Sequence, residues 1–367
     1  MAAMREMRGI GMTTHQLKPK VQAFKLLRVL LLYLSMHNTA LGQDAAMSVY
    51  TELSLQDMQD FTEQFDFGGL KSFQGVEAGV ENTTYFVSFD QKETVLQIFE
   101  EQGFDEIPFF IELNRRLSED QVPVATPIAD QAGNRLFTIK GKPAALFQRI
   151  QGATVSPISI DACKQMGEAL GKMHAVTQTY QELTRKNHRW NTWWESNVDR
   201  VIDLVPEDHQ TTLREQVTRS KEFVDETESL PQGIIHGDLF CDNALFHDGK
   251  LAGIIDFYNA CNGCLLFDLA ITINDWCSKP TGRLDADKTV ALVRGYNAFR
   301  TLTTEEVSQW SQAAETAALR FWMLRLVALA RKREGGPQAP PHVKDPNDFL
   351  DILIARRADP QCDLISG

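Results

Sequence analysis

The stretch that most limits how this chain can fold runs from His236 to Phe257. It reads His236-Gly237-Asp238-Leu239-Phe240-Cys241-Asp242-Asn243, then Ala244-Leu245-Phe246-His247-Asp248-Gly249-Lys250-Leu251-Ala252-Gly253-Ile254-Ile255-Asp256-Phe257. Ala244 to His247 is short and mostly apolar, and Leu251 to Ile255 is an apolar run ending in β-branched residues. Asp248-Gly249 between them is a strong hairpin signal, because the tight turns that suit twisted strands need positive φ. The spacing predicts a loop, a strand, a turn and a second strand. Once the hairpin closes, Asn243 before the first strand comes to lie opposite Asp256 at the end of the second; cross-strand neighbours sit about 5 Å apart. A carboxamide oxygen and a carboxylate then aim at one point, with the Asp238 carboxylate a few residues upstream. A polar surface hairpin would account for Asp248-Gly249. It would not account for the oxygen-bearing side chains at the other end.

Hard oxygen ligands in a small cluster suit Mg2+, which keeps waters and takes its remaining ligands from substrate phosphates. A further carboxylate beside such an ion is placed to orient a hydroxyl and take its proton. That is equipment for phosphoryl transfer from a nucleoside triphosphate such as ATP. The whole chain is compatible with it. Its 367 residues suffice for one large domain or two lobes. A net charge of -12 argues against a nucleic-acid partner. An acidic protein can still hold a polyphosphate where metal and backbone donors set the local field. The six cysteines show no disulfide framework for a chain of this length, which points to a reducing compartment. Cys261-Asn262-Gly263-Cys264 is a C-x-x-C, but a zinc or redox reading needs a second pair or a thioredoxin-like context.

Lys18, Lys20, Lys25 and Arg28 precede the apolar run Val29 to Leu34, with small residues near Ala40 to Gly42, in the layout of a secretory signal. The run is too short to span a bilayer. Export would separate an ATP-dependent enzyme from its donor. The expectation is therefore a non-native or over-long extension over residues 1–46, disordered or loosely helical, ahead of a natural start at Met47. A targeting segment is the alternative. A cytoplasmic protein with no membrane partner follows.

Ser54 to Phe65 reads as a helix with Ser54 as N-cap. Leu70 to Val76, Thr83 to Phe89 and Glu93 to Phe99 read as strands, the first two joined by the glycine-bearing turn Glu77-Ala78-Gly79-Val80-Glu81-Asn82. Strand, glycine turn, strand is the layout of a flap that covers phosphates with backbone N–H groups. Pro108 to Leu117 reads as a helix with proline in its first turn. Asn134 to Lys140 and Ala144 to Ile150 read as a hairpin around Gly141-Lys142-Pro143. From Ser159 the pattern is largely helical: Met166, Leu170, Met173 and His174 form a core-facing stripe, with His174 a buried histidine. Trp193 and Trp194 pack a core or wall a substrate pocket. Phe267-Asp268-Leu269-Ala270 opens another helix, with Asp268 capping it or bracing the catalytic loop. Late helices are expected over Lys288 to Phe299, Glu305 to Lys332 and Pro346 to Arg356, with a Gly/Pro-rich loop from Gly335 to Pro341 between the last two.

The pattern His-x-Asp-x-x-x-x-Asn, followed across a hairpin by a strand ending in Ile-Asp-Phe, resembles the catalytic and metal-binding segments of protein-kinase-like enzymes in the aminoglycoside-phosphotransferase branch. Gly79-Val80-Glu81-Asn82-Thr83-Thr84-Tyr85-Phe86-Val87, Ile107 to Leu113, Ile255 to Asn262, Asn274 to Cys277, Ala318 to Trp322 and Lys344 to Pro346 are similar to the homoserine kinases built on this fold. The resemblance covers about Met47 to Arg356. Gly263 and Leu324 depart from it: the first stands where an acidic residue is expected, the second where a small polar one is.

The resemblance implies an α+β, protein-kinase-like two-lobe fold. A small antiparallel β-sheet N-lobe with one main helix would occupy residues 47–150, a mostly helical C-lobe residues 151–358, and a tail residues 359–367. It implies ATP and Mg2+ as cofactors, and transfer of the γ-phosphoryl group to the hydroxyl of L-homoserine, giving O-phospho-L-homoserine and ADP. Asp238 is implied to position the acceptor hydroxyl and take its proton; Asn243 and Asp256 to hold the metal. His236, Glu112 and Asp268 are implied to support them. Gly79, Val80, Glu81, Asn82 and Thr83 would cover the nucleotide, and backbone near Gln148 and Ile150 would meet the adenine edge at a hinge. Tyr258, Asp275, Trp276, Arg320 and Arg325 are candidates for the acceptor, a small zwitterion that needs donors for its carboxylate and oxygens for its ammonium. Gln97 occupies the position of the usual strand lysine that pairs with the Glu112 position, leaving Lys92 or Lys140 to substitute, or metal and backbone to carry the phosphates. Other small amino alcohols (choline, ethanolamine, hydroxylysine), an aminoglycoside, or a catalytically inactive kinase-like protein are the competing readings.

Overall fold

The computed structural model describes residues 51–76, 82–187, 191–335 and 343–365. The expected N-terminal extension, the flap residues Gly79, Val80 and Glu81, and the Gly/Pro-rich stretch beyond Gly335 lie outside the described residues.

Helix α1 (Leu55–Thr62) starts where Ser54 predicts: Ser54 Oγ accepts the Asp57 N–H at 3.1 Å, and the Asp57 carboxylate accepts the Ser54 N–H at 2.8 Å. It lies on the outer face of a five-stranded antiparallel sheet of order β1-β2-β3-β5-β4. The strands are β1 (Leu70–Gly75), β2 (Thr83–Phe89), β3 (Glu93–Ile98), β4 (Phe137–Ile139) and β5 (Lys142–Gln148). The period-two alternation in β2 and β3 sorts side chains between the faces. Tyr85, Val87, Phe89, Leu96, Ile98, Ala144 and Leu146 join Met58 and Phe61 of α1 in an outer core. Ala145 and Phe147 belong to a separate core shared with α2 (Ile107–Glu119) and the helical lobe. Because both faces of β5 are covered, it is buried from Pro143 to Phe147. The β4–β5 turn is tighter than expected. Lys140 and Gly141 both take positive φ, so Lys142 and Pro143 are already strand residues.

The helical lobe contains α3 (Ile160–Thr177), α4 (Asn191–Val201), α5 (Glu207–Glu226), α6 (Leu265–Trp276), α7 (Ala286–Asn297), α8 (Thr304–Ser308), α9 (Trp310–Glu334) and α10 (Asn347–Ala358). Two strand pairs are set into it: β6 (Gln232–Ile235) with β9 (Cys261–Cys264), and the hairpin β7 (Ala244–His247) with β8 (Lys250–Ile254). α6 is buried from Leu265 to Asn274 and forms the middle of the lobe. Trp194 is wholly buried and belongs to the core. The single late helix expected from residue 305 to 332 is two helices, α8 and α9, parted at Gln309, which leaves helical geometry at φ -92 and ψ 2. The C-x-x-C is neither a metal site nor a redox site. It is the whole of β9, and residues three apart on a strand point to opposite faces. Among the described residues no helix is long and apolar enough to cross a membrane.

Candidate active site

The β7–β8 turn forms as its residues dictate, with Asp248 at φ 49 and Gly249 at φ 74. The strands pair from His247–Lys250 to Ala244–Ile254, and the Ile255 N–H reaches the Asn243 carbonyl at 3.0 Å. Asn243 therefore faces Ile255, with Asp256 the next residue beyond, at the open end of the hairpin. An irregularity in register at Leu245/Phe246 separates this from the simplest pairing. Asn243 is buried, and its Nδ2 donates to the Asp238 carbonyl at 2.8 Å. The nitrogen end of the amide is thereby anchored to the loop. Asp256 is exposed and sits in the left-handed region at φ 67 and ψ 56, a conformation that costs an aspartate energy and concentrates at functional positions. Asp238 is half-buried, and Asn259 Nδ2 reaches its Oδ2 at 3.3 Å.

Beneath the loop lies its support. Asp268 of α6 is buried and accepts the His236 N–H and the Gly237 N–H, each at 2.8 Å. Its third partner is His174 Nε2 at 3.0 Å. Burial pushes the Asp268 carboxyl up, but the His174 hydrogen bond and the other partners outweigh it and hold it below the usual carboxylate range. His236 Nδ1 accepts the Asp238 N–H at 3.2 Å, so its Nε2 carries the proton given to the Ile255 carbonyl at 3.0 Å. Burial lowers the His236 pKa and keeps the ring neutral. His236 is thus a strut between the Asp238 and Asp256 segments. Gly237 has φ +76, and an added Cβ there would meet the Asn259 carbonyl oxygen at 2.9 Å, so the close approach of the two segments needs glycine.

The acceptor candidates separate. Asp275, two turns along α6 from Asp268, accepts the Cys241 N–H at 2.7 Å, and burial raises its pKa. Trp276 is 1% exposed and gives its Nε1–H to the Leu239 carbonyl at 3.1 Å; it secures the loop from inside the core and walls no open pocket. Arg320 is 2% exposed, and its Nη2 would stand 3.7 Å from a Cβ at Gly237, so it lies under the loop. Arg325 is tied to Asp348 at 2.7 Å and lies over the Phe349 ring, so its charge serves α10. Tyr258 packs edge-on against Phe99 and Phe110, joining the Asp256 segment to the upper lobe.

The Gln148 N–H is given to the Thr126 carbonyl at 2.8 Å and is not available to an adenine edge. The Ile150 side chain lies over Gly253, where an added Cβ would stand 2.3 Å from its Cδ1. Thr83 faces the outer core side, bonded to Thr51 N and Glu100, and the Asn82 amide oxygen accepts the Glu100 N–H at 3.3 Å. Gln97 is in register with Ala145, on the sheet face that looks toward the helical lobe. Glu112 pairs with Arg115 and Arg116 of its own helix, and the Arg115 hydrogen bond leads in lowering its pKa to about 2. Neither proposed lysine replaces the missing charge: Lys140 binds Asp57 of α1 at 3.0 Å and Lys92 lies over the Phe67 ring, both on the outer side.

Arg185 was not legible from the sequence. It donates to the Ala260 carbonyl at 3.0 Å and to Glu106 at 3.1 Å, and lies over the Phe110 ring, bridging α2 to β9. Lys344, another such residue, pairs with Asp242 at 2.8 Å.

Residues 72–302 match the Phosphotransferase enzyme family. The chain is 37% identical over 307 residues to a homoserine kinase of Methylobacillus flagellatus, covering 84% of this chain and 94% of that protein. It is 35% identical over 309 residues to a homoserine kinase of Neisseria meningitidis serogroup B, covering 84% and 99%. Among solved structures, the amicoumacin kinase hAmiN in complex with AMP-PNP and Ca2+ superposes with a TM-score of 0.60 at 15% identity, covering 83% of this chain and 92% of that one.

Proposed function

The chain belongs to the phosphotransferase enzyme family, and from that premise we propose that it transfers the γ-phosphoryl group of ATP to the hydroxyl of L-homoserine. The observation that carries the reading is the open end of the hairpin. There the half-buried Asp238 stands beside an anchored Asn243 amide and an exposed Asp256 carboxylate. The donor set fits a divalent cation: two hard oxygens from the protein, with the rest left to phosphate and water. Asn243 Oδ1 and Asp256 would hold Mg2+, which supplies charge neutralisation at the transferring phosphoryl group.

Asp238 orients the acceptor hydroxyl and takes its proton as the oxygen bonds to phosphorus. In a loose transition state positioning outweighs basicity, which is why so much of the surrounding structure is spent on fixing this loop. Gln97 offers the phosphates a neutral amide where a lysine is usual. With a neutral amide there, the polyphosphate charge would be left to the metal and to backbone N–H groups. Asp275 has few partners for a buried carboxylate, and an acceptor ammonium is the cation that would complete it. Homoserine is favoured over choline and aminoglycosides by the relatives that align over nearly their whole length. A cytoplasmic site of action follows from the need for ATP.

A panel of L-homoserine, choline, ethanolamine, hydroxylysine and an aminoglycoside, with ATP and Mg2+, tests the proposal through ADP release. L-homoserine gives the highest kcat/KM. A tenfold preference for another acceptor overturns the substrate, and no acceptor-dependent release overturns the activity.

A further inference from the structure

Support for the catalytic loop extends well beyond Asp268. On α3, a Cβ added at Gly167 would stand 1.9 Å from the Leu292 carbonyl oxygen, and one at Gly171 would stand 2.5 Å from that of Tyr296. No side chain fits at either position, so α3 and α7 meet backbone to backbone. That contact brings Tyr296 Oη to 2.8 Å from His174 Nδ1. On its other side the hydroxyl accepts Arg300 Nη1–H at 2.8 Å. Arg300 Nη2 donates to Glu306 Oε1 at 2.8 Å, and Glu306 Oε2 in turn accepts the Thr303 N–H at the start of α8. Glu306, Tyr296, His174 and Asp268 are each 0% exposed and Arg300 is 9% exposed. A continuous buried chain therefore runs from Glu306 through Arg300, Tyr296, His174 and Asp268 to the N–H groups of His236 and Gly237.

Its hydrogens can run in one direction. A guanidinium only donates. The hydroxyl that accepts from Arg300 gives its single hydrogen to His174 Nδ1, so the ring proton sits on Nε2 and is given to Asp268. The reverse tautomer would set an Nε2 lone pair against the Asp268 carboxylate and leave the hydroxyl hydrogen with no acceptor, a double cost in a buried site. We propose that Arg300, acting through Tyr296, fixes the tautomer of His174 and so holds Asp268 in the orientation that carries Asp238; Tyr296 and Arg300 are positioning residues for the transfer reaction. Burial keeps the Tyr296 hydroxyl protonated and lowers the His174 pKa, in keeping with a neutral ring. Only the kinetic arm of the test rests on the proposed activity.

The test is two-bond proton–nitrogen NMR of the full chain with labelled histidine, paired with kinetics. In the wild type His174 is neutral with the proton on Nε2; an Nδ1 proton or an imidazolium at neutral pH overturns the proposal. Tyr296→Phe frees the Nδ1 lone pair while Asp268 still holds the Nε2 proton, so the spectrum departs from the pure Nε2–H form toward imidazolium, and kcat falls by about 10- to 100-fold, the scale of small misplacements, with KM for ATP within about twofold. Arg300→Lys, which keeps a donor, retains the wild-type tautomer and most of kcat, whereas Arg300→Met shifts both. A Tyr296→Phe enzyme with wild-type kcat and tautomer also overturns it. Should that variant not fold, the wild-type spectrum and the Arg300 pair decide. Loss of the kinase reading itself would show as a wild type with no turnover while its His174 spectrum stood.

Discussion

Asp268 and Asp275 lie seven residues apart on one buried helix, and each grips the catalytic loop by accepting a backbone N–H. In every other respect they differ. Asp268 is met by the His236 N–H, the Gly237 N–H and His174, and its pKa is lowered despite complete burial. Asp275 is met by Cys241, with Asp242 nearby adding repulsion, and its pKa is raised. Burial pushes both carboxyls up, and the supply of donors decides whether such a carboxylate is content as an anion. The first is complete within the fold. The second has Cys241 as its donor and Lys344 as a nearby charge, and on the proposed function the acceptor's ammonium would complete it.

The largest effect that sharpens this contrast is expected at Asp268. Asp268→Asn turns one of the two accepting oxygens into a donor that faces at least one N–H, and should destabilise by about 3 kcal/mol and remove most activity. Denaturant unfolding measures the first, ADP release the second. Asp268 has a lowered folded pKa, so its stabilisation is present above the unfolded carboxylate value of about 3.9 and is lost as pH falls through the folded value. The gap in melting temperature between wild type and variant should therefore close in acid. A gap independent of pH would show that the charge is irrelevant.

Asp275→Asn should behave in the opposite sense. The raised folded pKa means that the wild type carries a penalty at neutral pH, relieved as pH falls from the folded value toward about 3.9. The variant keeps an oxygen for the Cys241 N–H, so it melts at or above the wild-type temperature at pH 7. Yet its kcat/KM for homoserine falls about 10- to 100-fold, the worth of one charge-assisted hydrogen bond. A variant that is less stable and fully active would make Asp275 a second Asp268 and dissolve the comparison. The smallest effect is expected at Ser159, which caps α3, the helix bearing His174. Ser159→Ala should cost about 1 kcal/mol in unfolding and leave kcat unchanged, showing that stability lost from α3 as such does not reach the loop.

The hairpin and its turn were legible in the sequence because local chemistry dictates them: Asp248-Gly249 sets the turn and the apolar strands set the pairing. The cap at Ser54 and the alternation in β2 were legible for the same reason. Asp268 was recognised as a brace only in outline, since one of its partners, His174, comes from a helix more than ninety residues earlier. Trp276 and Arg325 were read as acceptor contacts because aromatic and cationic residues near a motif look alike whether they face a ligand or the core. Burial and partners separate them, and neither is a local property. Arg185 and Tyr296 gave no signal at all. Their importance arises from contacts with residues far along the chain, and in the case of Tyr296 from the absence of side chains at Gly167 and Gly171.

The most direct test of the account is acceptor-dependent ADP release by Asp238→Asn, measured beside its binding of an ATP analogue with Mg2+. Turnover with L-homoserine should fall on the order of 10²- to 10⁴-fold while the nucleotide binds as in the wild type. Wild-type turnover from the variant would contradict the role assigned to Asp238 and, with it, the reading of the hairpin as a phosphoryl-transfer site.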